Sequence, residues 1–177
     1  VASELVGWIP GGLGHANIVA SIIFAGMSGS AAADAGGLGT IEMEAMTKNG
    51  YRDNFSGAVT AASSVIGPIF PPSIPLIIYG ATASVSVAKL FMGGVLPGLL
   101  MGVALMVLVF IFAVKYRFER HPFDIIALSK QFFGSILSLI TPLIILAGFT
   151  SGSFTPPEAS SIALAYSLVI AVVVSPT

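Results

Sequence analysis

The sequence predicts an all-helical integral membrane protein, because its charged residues are too few to cover a water-facing surface. Only 8% of the 177 residues are charged and 55% are hydrophobic, whereas a soluble domain carries about 25% charged residues. The charges also leave long uncharged runs at 5–33, 54–88, 90–114, 131–157 and 159–177. Each run is long enough for a membrane-spanning helix, which needs roughly 17–25 residues.

Composition also narrows the classes of function. A net charge of -1 offers no basic surface to nucleic acid. The chain contains no cysteine, which excludes disulfides and zinc sites with thiolate ligands. It begins at Val1 without a methionine and stops at Thr177 after an apolar run. We therefore expect one membrane domain over 1–177 that is a piece of a longer protein.

The first element predicted is a re-entrant helical hairpin over 16–47. An apolar helix, ANIVASIIFA, is followed by a Gly-Ser cluster at 26–30, and a second helical stretch then continues to Met46. Glycine and serine clusters interrupt helices because they favour other backbone conformations. If the segment turns back at this cluster, both of its ends lie on the same side of the membrane.

The second element predicted is a broken helix over 53–84. Its two halves are separated by Ile66-Gly67-Pro68-Ile69-Phe70-Pro71-Pro72-Ser73, and proline both lacks an amide donor and clashes with the preceding turn. A break inside lipid is tolerated only where it is buried in protein or lines a water-filled cavity. Two interrupted segments close together indicate a transporter binding site.

The remaining segments are predicted as spanning helices at 88–118, 131–149 and 155–175, with a loop at 119–130. Basic residues lie at Lys48, Arg52 and Lys115 and continue through that loop. Loops rich in lysine and arginine tend to be cytoplasmic. With a re-entrant hairpin, both basic regions fall on the cytoplasmic side.

The first candidate site is Ser28-Gly29-Ser30 together with Asp34. Hydroxyls, freed carbonyls and a carboxylate are the oxygen ligands that small hard cations take. The helix after the break also presents free N–H groups that suit a substrate carboxylate. The competing interpretation is a hairpin turn built of small residues for close packing. We favour function, because an ionisable residue in such a stretch is a candidate by default.

The second candidate site is the break in the second segment, with two serines one turn earlier. Its competing interpretation is a proline kink without a ligand. The disruption is larger than a kink requires, so we predict a cavity lined by Ser63, Ser64, Gly67, Pro71, Pro72 and Ser73.

Two alternatives come from other classes. Gly26-Met27-Ser28-Gly29 matches the short pattern of rhomboid-type intramembrane serine proteases. That chemistry needs a histidine on a spanning helix beside the serine, and we place neither His15 nor His121 inside one. A non-transporting scaffold is the other alternative, and it predicts that both breaks tolerate conversion to continuous helix. No phosphate-binding Gly-x-x-x-x-Gly-Lys-[Ser/Thr] loop occurs, so an ion gradient is the more natural energy source.

At these segments the chain resembles the large permease subunit of TRAP (tripartite ATP-independent periplasmic) transporters of the dicarboxylate type, members of the ion transporter superfamily. The resemblance rests on PGGLGHANIVASIIFAGMSGSAAADAGGLGTIEMEAM, GYRDNFSGAVTAASSVIGPIFPPSIPLIIYGATA, KLFMGGVLPGLL and GFTSGSFTPPEASSIALAYSLVI, in the family's order. It implies a fragment of an inverted-repeat transporter in a bacterial or archaeal inner membrane, without enzymatic activity or a cofactor beyond the coupling ion. It also implies a small membrane subunit, a periplasmic solute-binding protein, and sodium-driven uptake of dicarboxylates, sialic acid or keto acids.

The resemblance also implies roles for individual residues. It puts Ser28, Gly29 and Ser30 at the hairpin tip, and makes Ser28, Ser30, Gly67 and Ser73 candidate sodium ligands. The chain departs from many members at Ser30-Ala31 and Asp34, and at Thr155-Pro156-Pro157-Glu158. The alternative within the class is a carboxylate or anion symporter of the same superfamily that needs no binding protein.

Overall fold

The computed structural model describes residues 9–116, 118, 140, 144, 147–148 and 156–174. These residues form helices and no strand, which confirms the all-helical fold class. The predicted loop at 119–130 lies outside the described residues, as does nearly all of 131–149. In chain order the helices are α1 (Gly12–Ser28), α2 (Ala31–Ala33), α3 (Gly39–Lys48), α4 (Asp53–Ser64), α5 (Ile74–Thr82), α6 (Val87–Tyr116) and α7 (Pro156–Val174), with a π-helical segment Asp34–Leu38 between α2 and α3.

The chain turns back on itself after α1. Gly29 ends α1 with a left-handed φ of 57°, and its amide donates to the carbonyl of Ala25. Ser30 begins the returning arm, in which α2, the π-helical segment and α3 follow one another without a gap. The π-helical segment and α3 both pack against α1, and α4 packs against all three. The two arms therefore form a helical hairpin whose turn is Gly29-Ser30.

The second interrupted segment also matches the sequence pattern. Helix α4 ends at Ser64, and the chain follows turns and bends until α5 begins at Ile74. The peptide bond between Pro71 and Pro72 in this stretch is cis. Ser73 caps α5, because its Oγ accepts a hydrogen bond from the amide of Leu76 at 3.3 Å. Residues 65–73 are thus the break between two helices.

Helix α6 provides the support for the other helices. It packs against α1, α4 and α5, and the apolar core between them contains Ile18, Val59, Ile66 and Val109. Among the described residues α6 is the one helix long and apolar enough to cross a membrane. Only 17% of its most apolar 18-residue window is buried, so the remaining apolar surface faces lipid or other parts of the protein.

An aromatic cluster marks one end of this bundle. Tyr51, just before α4, contacts the ring of Phe118, and Phe55 in the first turn of α4 contacts Phe112 and Phe118. The ring of Tyr116, the last residue of α6, contacts Phe112 and Phe118. Ring centroids lie 4.4–6.2 Å apart within the cluster. Arg52, beside Tyr51, and Lys115, at the end of α6, therefore lie at the same end of the structure.

Candidate functional site

The tip of the hairpin contacts the break between α4 and α5. The carbonyl of Gly29 accepts a hydrogen bond from the amide of Ile74 at 3.4 Å. A Cβ atom placed on Gly29 would lie 2.5 Å from the carbonyl oxygen of Pro72, closer than real Cβ atoms approach. Because its φ is also left-handed, glycine alone fits this position without strain. Residues more than 40 positions apart in the sequence thus meet in direct backbone contact.

The other end of the break contacts the tip as well. A Cβ on Gly67 would lie 3.4 Å from the carbonyl carbon of Ser30 and 3.5 Å from its nitrogen. Behind the break, the backbone of Ile69 packs directly on Gly94 of α6. Pro71, Pro72 and the adjacent Ser73 are buried. The break is consequently held between the hairpin tip on one side and α6 on the other.

The hydroxyls at the tip are engaged with the backbone. The Oγ of Ser30 accepts from the amide of Ala33 at 3.4 Å and so caps α2. The Oγ of Ser28 accepts from the amide of Ser30 at 3.4 Å. Both oxygens retain lone pairs beyond these bonds, so capping does not prevent them from binding a cation.

Ser73 has the same role at the break and is completely buried. Its Oγ donates to the carbonyl of Pro68 and accepts from the amide of Leu76. Ser30 and Ser73 are therefore both N-cap residues of helices that start where the two broken segments meet. The sequence pattern indicates both as candidate ligands but does not reveal the capping role that they share.

Asp34 is buried one turn beyond the tip. Its side chain is 1% exposed, and neither carboxylate oxygen has a hydrogen-bond partner among the described residues. Its amide donates to the carbonyl of Ser30 at 3.1 Å, and it begins the π-helical segment. Such segments often occur at functional sites. A buried carboxylate without a partner is strongly unfavourable, so this position calls for a cation or a hydrogen-bond donor from elsewhere in the protein.

Ser63 and Ser64 lie in the interface between α1 and α4. The Oγ of Ser63 lies 2.8 Å from Asn17 Oδ1 and accepts from Ser21 Oγ at 3.0 Å. Asn17 Nδ2 donates to Thr60 Oγ1 at 2.8 Å, and Ser64 Oγ donates to the Thr60 carbonyl at 2.7 Å. All five residues are buried.

Asn17, Ser21 and Thr60 were not singled out from the sequence. The signal for them was spacing, since positions 17 and 21 share one helical face and so do 60 and 64. This polar network joins the first arm of the hairpin to the first half of the broken helix.

His15 corrects one expectation. The sequence predicts that the hairpin starts at 16, which leaves His15 outside it, but His15 lies in the first turn of α1 and is 4% exposed. It is 13 residues from Ser28 in the same helix, which is about 20 Å at 1.5 Å per residue. That distance is far beyond hydrogen-bond reach, so His15 cannot be the base that a protease would need at Ser28. His121 lies outside the described residues.

Interrupted helices that meet one another, as the hairpin and the broken helix do here, are typical of the binding region in secondary transporters. Comparison with known families identifies the transporter family to which the chain belongs. The family model described as "Tripartite ATP-independent periplasmic transporter, DctM component" matches residues 1–177. The chain therefore belongs to this family of TRAP transporter large permease components.

Individual relatives agree with this assignment. The sialic acid TRAP transporter large permease protein SiaM of Vibrio cholerae is 48% identical over 177 residues, which are 98% of this chain and 41% of that protein. The 2,3-diketo-L-gulonate TRAP transporter large permease protein YiaN of Escherichia coli is 38% identical, over 97% of this chain and 40% of the relative.

The C4-dicarboxylate TRAP transporter large permease protein DctM of Vibrio cholerae is also 38% identical, over 96% of this chain and 38% of the relative. The chain thus spans about two fifths of the length of these three relatives.

Proposed function

We propose that the protein containing this chain is the large membrane subunit of a sodium-coupled transporter that takes up small carboxylates. The observation that carries the proposal is the contact of Gly29 with Pro72 and Ile74, which joins the hairpin tip to the helix break. The names of the relatives support a carboxylate as substrate, because they include sialic acid, diketo-gulonate and C4-dicarboxylate transporters.

Four helix ends lie at this junction, and they favour ions of both signs. Helices α1 and α4 end there, so their last carbonyls present partial negative charge. The returning hairpin arm and α5 begin there, so their first amides present partial positive charge. In broken transporter helices, amide ends of this kind bind anionic substrates and carbonyl ends bind sodium.

The side chains available to a sodium ion are oxygen donors. We assign Ser28, Ser30, Gly67 and Ser73 as candidate ligands, with Gly67 contributing its carbonyl. Asp34 supplies the nearest buried negative charge on the returning arm. Sodium is a hard cation that favours such oxygen ligands. Because both cap hydroxyls are already oriented by their hydrogen bonds to the backbone, few side-chain groups would have to become ordered when the ion binds.

The same proposal includes the membrane topology of the subunit and the proteins with which it works. The hairpin is re-entrant, the chain belongs to one half of an inverted repeat, and the subunit lies in the inner membrane. It works with a small membrane subunit and a periplasmic solute-binding protein that delivers the carboxylate. A symporter of the same superfamily without a binding protein is the alternative that the first experiment distinguishes.

The test is uptake into proteoliposomes that contain the full-length subunit and its small partner. Labelled dicarboxylate and sialic acid are offered with and without the binding protein, and with and without an inward sodium gradient. Accumulation that needs both sodium and the binding protein supports the proposal. Accumulation without the binding protein favours the alternative, and no accumulation of either carboxylate by folded protein contradicts the proposed substrate class.

Site variants test the assignment within the same assay. We expect Ser30→Ala and Ser73→Ala each to weaken sodium-dependent uptake while leaving expression intact. Ser86→Ala is the matched control for Ser73→Ala, because Ser86 Oγ also accepts from the first turn of a helix, at 3.5 Å from the amide of Lys89, but lies at the start of α6. Equal effects of the control and the site variants would show that lost capping, not lost ligation, explains the result.

A further inference from the structure

An apolar groove runs between α4 and α6, away from the junction described above. Its volume is about 290 Å³. Every side chain that lines it is apolar, and those at its sides are Phe55, Ala58, Ala62, Leu105, Leu108 and Phe112. It follows each helix over eight residues, 55–62 and 105–112, and the seven rises of 1.5 Å between the first and the last correspond to about 10 Å. Its shape and chemistry suit an extended hydrocarbon chain.

Two cations lie at one end of this groove, on the ring of Tyr116. The guanidinium carbon of Arg52 is 5.3 Å from the ring centroid, and Nζ of Lys115 is 5.7 Å from the same centroid. The two positive charges thus lie within about 11 Å of one another. Both side chains are exposed, and neither forms an ion pair with a carboxylate of the described residues. An anion near both charges would relieve their mutual repulsion.

The cations and the groove are continuous along both helices. Arg52 precedes Phe55 by three residues, and Lys115 follows Phe112 by three, so each charge lies about one helical turn, or 5 Å, beyond the end of the groove. Both phenylalanines belong to the aromatic cluster at this end. Tyrosine and other amphipathic aromatic side chains favour the headgroup level of a bilayer, and at that level the two cations would meet the lipid phosphates.

We propose that this groove binds an anionic phospholipid, with its phosphate between Arg52 and Lys115 and one acyl chain between α4 and α6. Soluble phosphate would match the cations but leave the groove empty. An apolar helix from elsewhere in the transporter would fill the groove but leave the cations without a counter-ion. A phospholipid satisfies both features, and the inference does not depend on which solute is transported.

The experiment is native mass spectrometry of the full-length subunit with its small partner, after titration with phosphatidylglycerol. We expect the double variant Arg52→Gln, Lys115→Gln to bind this lipid about thirtyfold more weakly, from a roughly fivefold contribution per cation. Lys89→Gln, at the other end of α6, is the charge control and should bind normally. Ala62→Phe should fill the groove and displace the lipid, whereas Ala61→Phe, on an exposed face of α4, should not.

Three other outcomes would overturn the proposal. If the charge variant and the groove variant both retain the lipid as the unsubstituted protein does, the lipid does not bind in this groove. Equal competition by glycerol phosphate would show that the cations bind a soluble anion. A photo-crosslinking residue at Ala58 should yield an adduct with the mass of the lipid, and an adduct to the small subunit or to another part of the same chain would show that a helix occupies the groove.

Discussion

Gly29 offers the sharpest test of the junction, because an added methyl group acts there in two separable ways. Alanine in the left-handed region costs about 1–2 kcal/mol. Its Cβ would also lie 2.5 Å from the Pro72 carbonyl oxygen, so the two must separate by about 0.9 Å to reach an ordinary contact of 3.4 Å. Protein–cation distances are held to within about 0.2 Å, so the displacement should disrupt ion binding at the tip.

We expect Gly29→Ala to lower sodium-dependent uptake by about a hundredfold, the loss that a misplacement of about 1 Å causes in other active sites. Uptake is measured per folded subunit in proteoliposomes, and the free energy of unfolding is compared through melting temperature in detergent. The variant should also raise the sodium concentration needed for half-maximal uptake, because the tip would no longer meet the break at its native distance.

Two other glycines separate the conformational cost of alanine from the effect of its contact with Pro72. Gly50 has a left-handed φ of 81° but no atom near its would-be Cβ, so Gly50→Ala carries the conformational cost alone. Gly36, in the π-helical segment, has neither a left-handed φ nor a neighbour within 4 Å, so Gly36→Ala should leave uptake and stability close to wild type. Loss of uptake in Gly50→Ala equal to that in Gly29→Ala would refute the contact as the cause, as would normal sodium dependence in Gly29→Ala.

Three further predictions concern buried polar groups. Asn17→Ala removes two hydrogen bonds of 2.8 Å and should destabilise the subunit by about 1 kcal/mol, because one such bond contributes roughly 0.6 kcal/mol on average in membrane proteins. The control is Asn54→Ala, at an exposed position of α4. Equal melting temperatures for the two variants would contradict the network. Ser56 Oγ is buried without a partner among the described residues, so Ser56→Ala should leave the melting temperature unchanged or raise it, and a clear fall would reveal a partner elsewhere in the protein. Asp34→Asn should raise stability by about 1–3 kcal/mol in the absence of sodium, because an unpaired buried amide costs less than an unpaired buried carboxylate, while it abolishes sodium-dependent uptake. The exposed Asp53, which accepts from Thr47 Oγ1, provides the control Asp53→Asn. Retained uptake in Asp34→Asn would exclude the carboxylate from ion coupling.

The two breaks could be predicted because their causes are local. A Gly-Ser cluster and a Pro-Pro-Ser run interrupt helices whatever surrounds them, and the structure has both breaks at 29–30 and 65–73. The start of α1 could not be read in the same way. Gly14 lies against Val109 of α6, where a Cβ would be 2.8 Å from a methyl carbon. That glycine serves close helix packing, which the sequence alone cannot distinguish from a turn.

The polar network was missed for a related reason. Asn17 and Thr60 are 43 residues apart, and their pairing depends on the register between two helices. In the sequence each is one polar residue within an apolar run, which fits a functional residue as well as a structural one. Asp34 could be singled out as a candidate because a charge in such a run is costly wherever it lies. The free-energy cost of a single residue in an apolar run can therefore be recognised in a sequence. The pairing of two side chains cannot, because it depends on the register between the helices that carry them.

The capping serines connect these levels. A broken helix exposes amides that must find acceptors, and Ser30 and Ser73 each satisfy one at the start of the continuing helix. If the proposed site is correct, the caps stabilise the two breaks beside one another and leave the other free amides and carbonyls available to ligands. The hydroxyls would then act first on the fold and through it on binding. Since the cap fixes each Oγ relative to the backbone groups around it, the affinity for a cation bound by both hydroxyls would depend on the distance between the tip and the break.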